Sequence, residues 1–214
     1  KHLDESLILW RSSSQWIGGL YFLFSIILLI DIFDDNLKKT LTNFLAFNSA
    51  EIFKQSLKIF IIYSLFTLLI FITLNIFDFR SFISLNLSMS IISSGGFLPV
   101  NRLDILLNSQ TKIIVFSTLM LTSFFSLFFF YNLFYKKKGI KFIQEDIYLI
   151  IYFLILIFFF FLLTDKTVNF GIIFLSITSS ISNIGVSLEN IPRHLSFIFL
   201  ILIVIGGSFF STSS

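Results

Sequence analysis

Charged residues leave seven long stretches of this sequence untouched: Ser12–Ile30, Ile59–Phe77, Ser81–Asn101, Ile113–Tyr135, Ile147–Thr164, Thr167–Leu188 and Leu195–Ser214. A helix rises about 1.5 Å per residue, and the hydrocarbon layer of a bilayer is about 30 Å thick, so about 20 apolar residues span it. Each stretch is near that length. Composition agrees: of 214 residues 56% are hydrophobic, 32 are Phe and 13% are charged. A soluble domain carries about a quarter charged residues. A soluble globular domain, a disordered tail and a disulfide scaffold are excluded, the last also because the chain holds no Cys. The net charge is only +3, and the 15 Lys and Arg form no basic face for nucleic acid.

The seven stretches are of two kinds. Five are dominated by Phe, Ile and Leu. The other two, Ser81–Asn101 (SFISLNLSMSIISSGGFLPVN) and Thr167–Leu188 (TVNFGIIFLSITSSISNIGVSL), turn polar in their second half. The first half of each supports a helix of about 10–12 residues, half the hydrocarbon thickness. Each then meets a Ser/Gly or Ser/Asn/Gly cluster, and Gly and Asn end helices because they tolerate positive φ. Non-helical backbone at membrane depth is allowed only where protein buries it or water lines it. The expectation is therefore a re-entrant element, a half-helix followed by an extended return. The competing reading is an ordinary spanning helix whose small residues pack against neighbours.

A repeat favours re-entrance. Ile59 and Ile147, which open two apolar helices, are 88 residues apart, and Gly96 and Gly185 are 89 apart. In that alignment Ser90 falls on Ser179, Ser93 on Ser182 and Phe97 on Val186. Internal duplication is a common construction in membrane transport proteins. The expected organisation is an outgoing helix of an incomplete first unit in residues 1–33, a cytoplasmic linker at 34–58, a helix–pore-loop–helix unit at 59–135, a loop at 136–146, and a further unit at 147–214. Lys1 opens the sequence in place of Met, and Ser211-Thr212-Ser213-Ser214 follows an apolar helix with no charged flank. The chain is read as an internal part of a longer membrane protein. The fold class is an all-α polytopic membrane protein with five spanning helices and two re-entrant half-helices.

Such a unit suits cations. The C-terminal end of a half-helix carries a partial negative charge. An extended Gly-bearing segment can offer carbonyl oxygens in place of an ion's water shell. Neither polar segment holds a carboxylate, so carbonyls and hydroxyls would coordinate the ion. Two basic connections set the orientation: Lys38, Lys39, Lys54 and Lys58 in one, and Lys136, Lys137, Lys138 and Lys141 in the other. The positive-inside rule puts both in the cytoplasm, so the re-entrant segments enter from outside.

Four stretches resemble the TrkH/KtrB/HKT superfamily of potassium transporters, most closely its bacterial TrkH type. Trp10-Arg11-Ser12-Ser13-Ser14-Gln15-Trp16-Ile17-Gly18-Gly19 is similar to the family's opening of the first repeat's outgoing helix. Ser90–Phe97 looks like its second selectivity filter, and Ser182–Val186 sits where the third belongs. Ile205–Thr212 is similar to the broken helix that lies under the third filter and gates it, with Phe210 where the family usually has Gly.

The resemblance implies potassium or other monovalent-cation uptake across the cytoplasmic membrane, without enzymatic activity and with no cofactor but the transported K⁺. Filter residues would be Ser94, Gly95, Gly96, Asn183, Ile184 and Gly185. Gate-loop residues would be Gly206, Gly207, Ser208, Ser211 and Thr212. It also implies a homodimer and a TrkA-type cytoplasmic nucleotide-binding regulatory subunit. The lysine-bearing loops would face that subunit or anionic lipid.

Ser90, Ser93, Ser179 and Ser182 either back the filters or satisfy their own helices. Gly18 and Gly19 allow close helix packing. Arg11 and Gln15, one turn apart, orient a first filter outside the chain, or Arg11 snorkels to the interface. His2 and His194 have no ligand-spaced partners. Asp31, Asp34-Asp35 and Glu145-Asp146 read as solvated charge. A membrane enzyme is the alternative from another class, opposed by apolar runs without a carboxylate pair, a His cluster or a nucleophile–base pair. A scaffold subunit, in which the Ser/Gly segments only pack, is the third.

Overall fold

A computed structural model describes residues 4–33, 52–100, 103–125, 144–163, 169–186, 196–205 and 211–213. All regular structure among them is helical: α1 (Glu5–Phe33), α2 (Ile52–Ile76), α3 (Ser81–Ile92), α4 (Leu103–Leu106), α5 (Gln110–Phe124), α6 (Gln144–Leu163), α7 (Phe170–Ile181) and α8 (Ser196–Ile205). The chain is thus an all-α protein in its described parts. Among them one helical segment, Ser56–Ile76 within α2, is both long and apolar enough to cross a membrane by length and composition. The lysine-bearing connections fall largely outside the described residues, as do His2, His194 and Gly206–Ser208.

The two polar stretches form half-length helices. Both α3 and α7 are 12 residues long, about 18 Å each. Both stop in the same way. Ser94 (φ 51°) and Asn183 (φ 56°) take the left-handed conformation just past the helix. In the first, Ser94 N–H donates to Ile91 C=O and Gly95 N–H to Ser90 C=O. In the second, Asn183 N–H donates to Ser180 C=O and Ile184 N–H to Ser179 C=O. These paired bonds make a Schellman motif, which satisfies the last carbonyls and turns the chain off the helix axis. The same motif closes α2, with Asp78 at φ 58° and Phe79 N–H donating to Leu74 C=O.

Helices α3 and α5 begin close together. After the turn at Phe77–Arg80, α3 begins beside the end of α2. Lys112, in the first turn of α5, donates from Nζ to the Asp78 carbonyl at 3.3 Å and stands over the Phe79 ring. Helix α5 therefore starts at the level where α3 started. Ser109 caps α5, its hydroxyl accepting from Lys112 N–H at 3.3 Å. In the second unit Phe160, near the end of α6, stacks on Phe199, near the start of α8, with ring centroids 5.1 Å apart. The end of α6 thus lies beside the start of α8.

The helices repeat their partners. α1 packs on α3 as α5 packs on α7, α2 on α3 as α6 on α7, and α3 on α5 as α7 on α8. Helices related by the 89-residue offset thus pack against corresponding neighbours. Two apolar clusters hold the units. One centres on Tyr63, Ile70, Leu74, Ile91, Phe116 and Met120 and takes in Leu175, Ile184 and Val186 from the second unit. The other joins Phe124, Phe153, Phe160, Ile177, Ile181 and Leu202.

Beside these apolar cores, small polar side chains are buried and large apolar ones exposed. Ser12, Ser84, Asn86, Ser88, Ser117, Thr178 and Ser182 are wholly buried, while Val204 is 78% exposed, Trp10 70% and Phe158 65%. Most buried hydroxyls bond a carbonyl one turn back, such as Ser117 to Ile113 at 2.7 Å and Ser176 to Ile172 at 2.8 Å. Large apolar side chains thus stand exposed on several helices among the described residues.

Candidate functional site: two facing half-helix ends

The chain after α3 climbs back along α1. Ser93 lies against Gly19, where a Cβ on the glycine would stand 2.9 Å from Ser93 Cβ. Gly95 accepts at its carbonyl from Gln15 Nε2 at 2.6 Å. The Arg11 guanidinium lies 4.0 Å from the centroid of the Phe97 ring. As the chain runs 93, 95, 97, its partners on α1 run 19, 15, 11. Four helical residues cover about 6 Å, and two extended residues cover about 6.6 Å. The two spacings are comparable, and Ser93–Phe97 runs antiparallel to α1. At the other end of α3, Arg80 pairs with Glu5 at 3.6 Å across exposed side chains.

Arg11 and Gln15, expected to orient a filter outside the chain, engage the segment that follows α3: Gln15 at the Gly95 carbonyl and Arg11 over the Phe97 ring. The spacing of 11, 15 and 19 was a sequence signal for one helix face, but a single face does not name its partner. The expectation for the glycine pair holds at Gly19, whose missing Cβ makes room for Tyr63 Oη and Ser93. At Gly18 nothing lies within 4 Å of a Cβ.

Both segments place a glycine two residues beyond the left-handed serine or asparagine. Gly96 has φ 65° and Gly185 has φ 70°. The resulting alternation, Ser94/Gly96 and Asn183/Gly185, is the same in both units. The two segments also meet. A Cβ on Gly96 would collide with the carbonyl oxygen of Ile184. The C-terminal ends of two half-helices, each with its partial negative charge, therefore converge.

Residues 211–213 join the two ends. Thr212 Oγ1 donates to the Ile92 carbonyl at 2.8 Å and lies 3.2 Å from Ser94 Oγ. Asn183 Nδ2 donates to the Ser213 carbonyl at 2.9 Å. Ser213 Oγ donates to the Ser123 carbonyl, at the end of α5, at 3.1 Å. Of the expected gate residues, Thr212 thus meets the end of α3, while Ser211 is buried with its hydroxyl 3.2 Å from that of Ser213. Ser213, absent from that set, is the residue that receives Asn183.

The serines divide. Ser179 Oγ accepts from Val186 N–H at 2.6 Å and so backs its segment. Ser93 donates to Met89 C=O at 2.8 Å and Ser182 to Ser179 C=O at 3.4 Å, each satisfying its own helix. Ser90 is buried in α3. The Gly95 carbonyl, expected to face an ion, gives one of its two lone pairs to Gln15. Two amide oxygens beside the segments, Gln15 Oε1 and Asn183 Oδ1, are buried with no partner among the described residues. Among those residues no three of His, Asp and Glu cluster as metal ligands would. A cation here would meet carbonyl, amide and hydroxyl oxygens, the donor set of alkali ions.

No protein-family profile matches this chain, and no curated protein matches it.

Proposed function

We propose that this chain forms part of a pathway for monovalent cations, potassium first among them, across the cytoplasmic membrane. The single observation that carries this reading is the collision a Gly96 side chain would make with the Ile184 carbonyl. It brings two equivalent left-handed turns, each at the end of a half-length helix, face to face. Converging helix C-termini favour a cation, and backbone oxygens at such a point can replace its hydration shell.

The resemblance to the TrkH type supports the same reading. In it Ser94–Gly96 and Asn183–Gly185 act as two filter segments of a larger pore, with α3 and α7 as re-entrant half-helices. The return of α5 to the level of Asp78 supports re-entrance, and the apolar exterior supports a membrane setting. Residues 205–212 act as the gate. A homodimer with a nucleotide-binding regulatory subunit on the cytoplasmic face is the assembly that accompanies this reading.

The test is Gly96→Ala and Gly185→Ala in the full-length protein, expressed in cells that lack potassium uptake. Altered potassium uptake or altered K⁺/Na⁺ preference is expected. Wild-type uptake and preference in both variants would end the filter assignment.

A further inference from the structure

We propose that Gln15 is a positioning residue for the second filter segment: it holds the Gly95 carbonyl against α1 and so sets which ion the Ser94–Gly96 backbone accepts. This rests on the filter reading above and assigns a selectivity role to a side chain of the preceding unit.

Three observations carry it. The bond from Gln15 Nε2 to Gly95 O is 2.6 Å, shorter than the usual range for N–H···O. The other end of the amide, Oε1, is buried without a partner among the described residues. That bond to Gly95 is therefore what orients the amide. Finally, a Cβ on Gly95 would stand 2.5 Å from both Cδ and Oε1 of Gln15. Gly95 has no positive φ, so its lack of a side chain answers to Gln15 and not to backbone conformation.

The position of this contact gives it leverage. Gly95 lies between Ser94 at φ 51° and Gly96 at φ 65°, two left-handed residues in sequence alternation. Glycine adopts such backbone freely, whereas a left-handed serine persists only where its surroundings hold it. Gln15 pins the peptide between the two, while Gly19 and Arg11 engage the segment at Ser93 and Phe97. The third segment is held differently: its corresponding carbonyl, that of Ile184, faces Gly96. Loss of Gln15 would loosen one of two facing segments and leave the other in place.

The experiment compares Gln15→Ala, Gly95→Ala, the double variant and Gly96→Ala in the full-length protein, reading the ratio of K⁺ to Na⁺ uptake in transport-deficient cells. The ratio is independent of how much protein reaches the membrane. Gln15→Ala is expected to lower it about fivefold, the equivalent of one hydrogen bond. The added methyl of Gly95→Ala displaces the flexible Gln15 amide and should lower it equally. Because both changes remove one interaction, the double variant should fall no further than either alone. Gln15→Met, which keeps the volume but donates nothing, should repeat the loss if the alanine variant fails to fold. An unchanged ratio in Gln15→Met beside a changed ratio in Gly96→Ala overturns the role of Gln15 and leaves the filter reading standing. Additive losses in the double variant overturn it too. Wild-type ratios in every variant, Gly96→Ala included, overturn the filter reading itself.

Discussion

The carbonyl oxygen of Ile184 occupies the space that a side chain on Gly96 would need. Gly185, its counterpart, has nothing within 4 Å of the same position. Both glycines are left-handed, at φ 65° and 70°. An alanine at either site pays for that conformation, about 1–2 kcal/mol. Only at Gly96 does it also collide with backbone, which cannot swing aside. Gly96→Ala is therefore expected to lower the melting temperature of the purified protein more than Gly185→Ala, and to lose more potassium uptake. Equal losses would show that the two segments do not abut.

Gly18 and Gly19 separate in the same manner, on a helix. A Cβ on Gly19 would stand 2.7 Å from Tyr63 Oη and 3.1 Å from the Ser93 Cα. Gly18 faces open space. Alanine is the better helix former by about 1 kcal/mol. Gly18→Ala should leave thermal stability unchanged or raise it, while Gly19→Ala should lower it by forcing α1 away from α3. A melting-temperature series on the two single variants decides the point, and destabilisation by Gly18→Ala would contradict the packing.

Ser179 and Ser182 are both buried at the end of α7, yet only Ser179 accepts from the returning chain, at Val186 N–H. Removing its oxygen leaves a buried N–H without its partner, a cost of about 1–3 kcal/mol. Removing the Ser182 hydroxyl ends a 3.4 Å bond to a carbonyl of its own helix. Ser179→Ala should therefore lower stability and alter K⁺/Na⁺ preference, while Ser182→Ala stays close to wild type. Similar behaviour of the two would remove the distinction between a backing serine and a helix-satisfying one.

The bonds from Thr212 to Ile92 and from Asn183 to Ser213 couple two helix ends through neighbouring residues. Thr212→Val keeps the shape and deletes the donor. Asn183→Gly keeps the left-handed backbone and deletes the tether. Each variant should raise the rate of uptake at saturating potassium if the contact holds residues 211–213 against the filter ends. Unaltered rates in both would mean that these bonds serve folding alone.

The half-length helices were legible from the sequence because Ser, Asn and Gly interrupt an apolar run at the same place twice. Their spacing also announced the duplication, since a repeat needs only self-comparison. The Schellman ends were half-legible: Gly96 and Gly185 stood out, but Ser94, at φ 51°, is left-handed without being Gly or Asn. Its conformation comes from the bonds of Ser94 and Gly95 N–H to Ile91 and Ser90. The partners of Arg11 and Gln15 were not legible. A face at four-residue spacing shows that Arg11, Gln15 and Gly19 lie on one side of α1, and what they meet is fixed by how α1 crosses α3. Likewise Ser213 carried no local mark of its bond to Asn183, 30 residues away in sequence.

Re-entrance is the relation that most needs an experiment in a membrane, and the structure makes it specific. Lys112 Nζ reaches the Asp78 carbonyl at 3.3 Å, so the re-entrant reading puts residues 80 and 112 on one face although α3 and its return lie between them. A full crossing by Ser81–Asn101 would instead put them about 30 Å apart on opposite faces. The 214 residues hold no Cys, so Arg80→Cys and Lys112→Cys introduce single labels into this stretch. A membrane-impermeant maleimide applied to intact cells should modify both, because the basic connections place the opposite side in the cytoplasm. Modification of neither in intact cells but of both after lysis would keep re-entrance and reverse the orientation. Modification of one from each side would eliminate the half-helix reading of α3, and with it the filter built on its end.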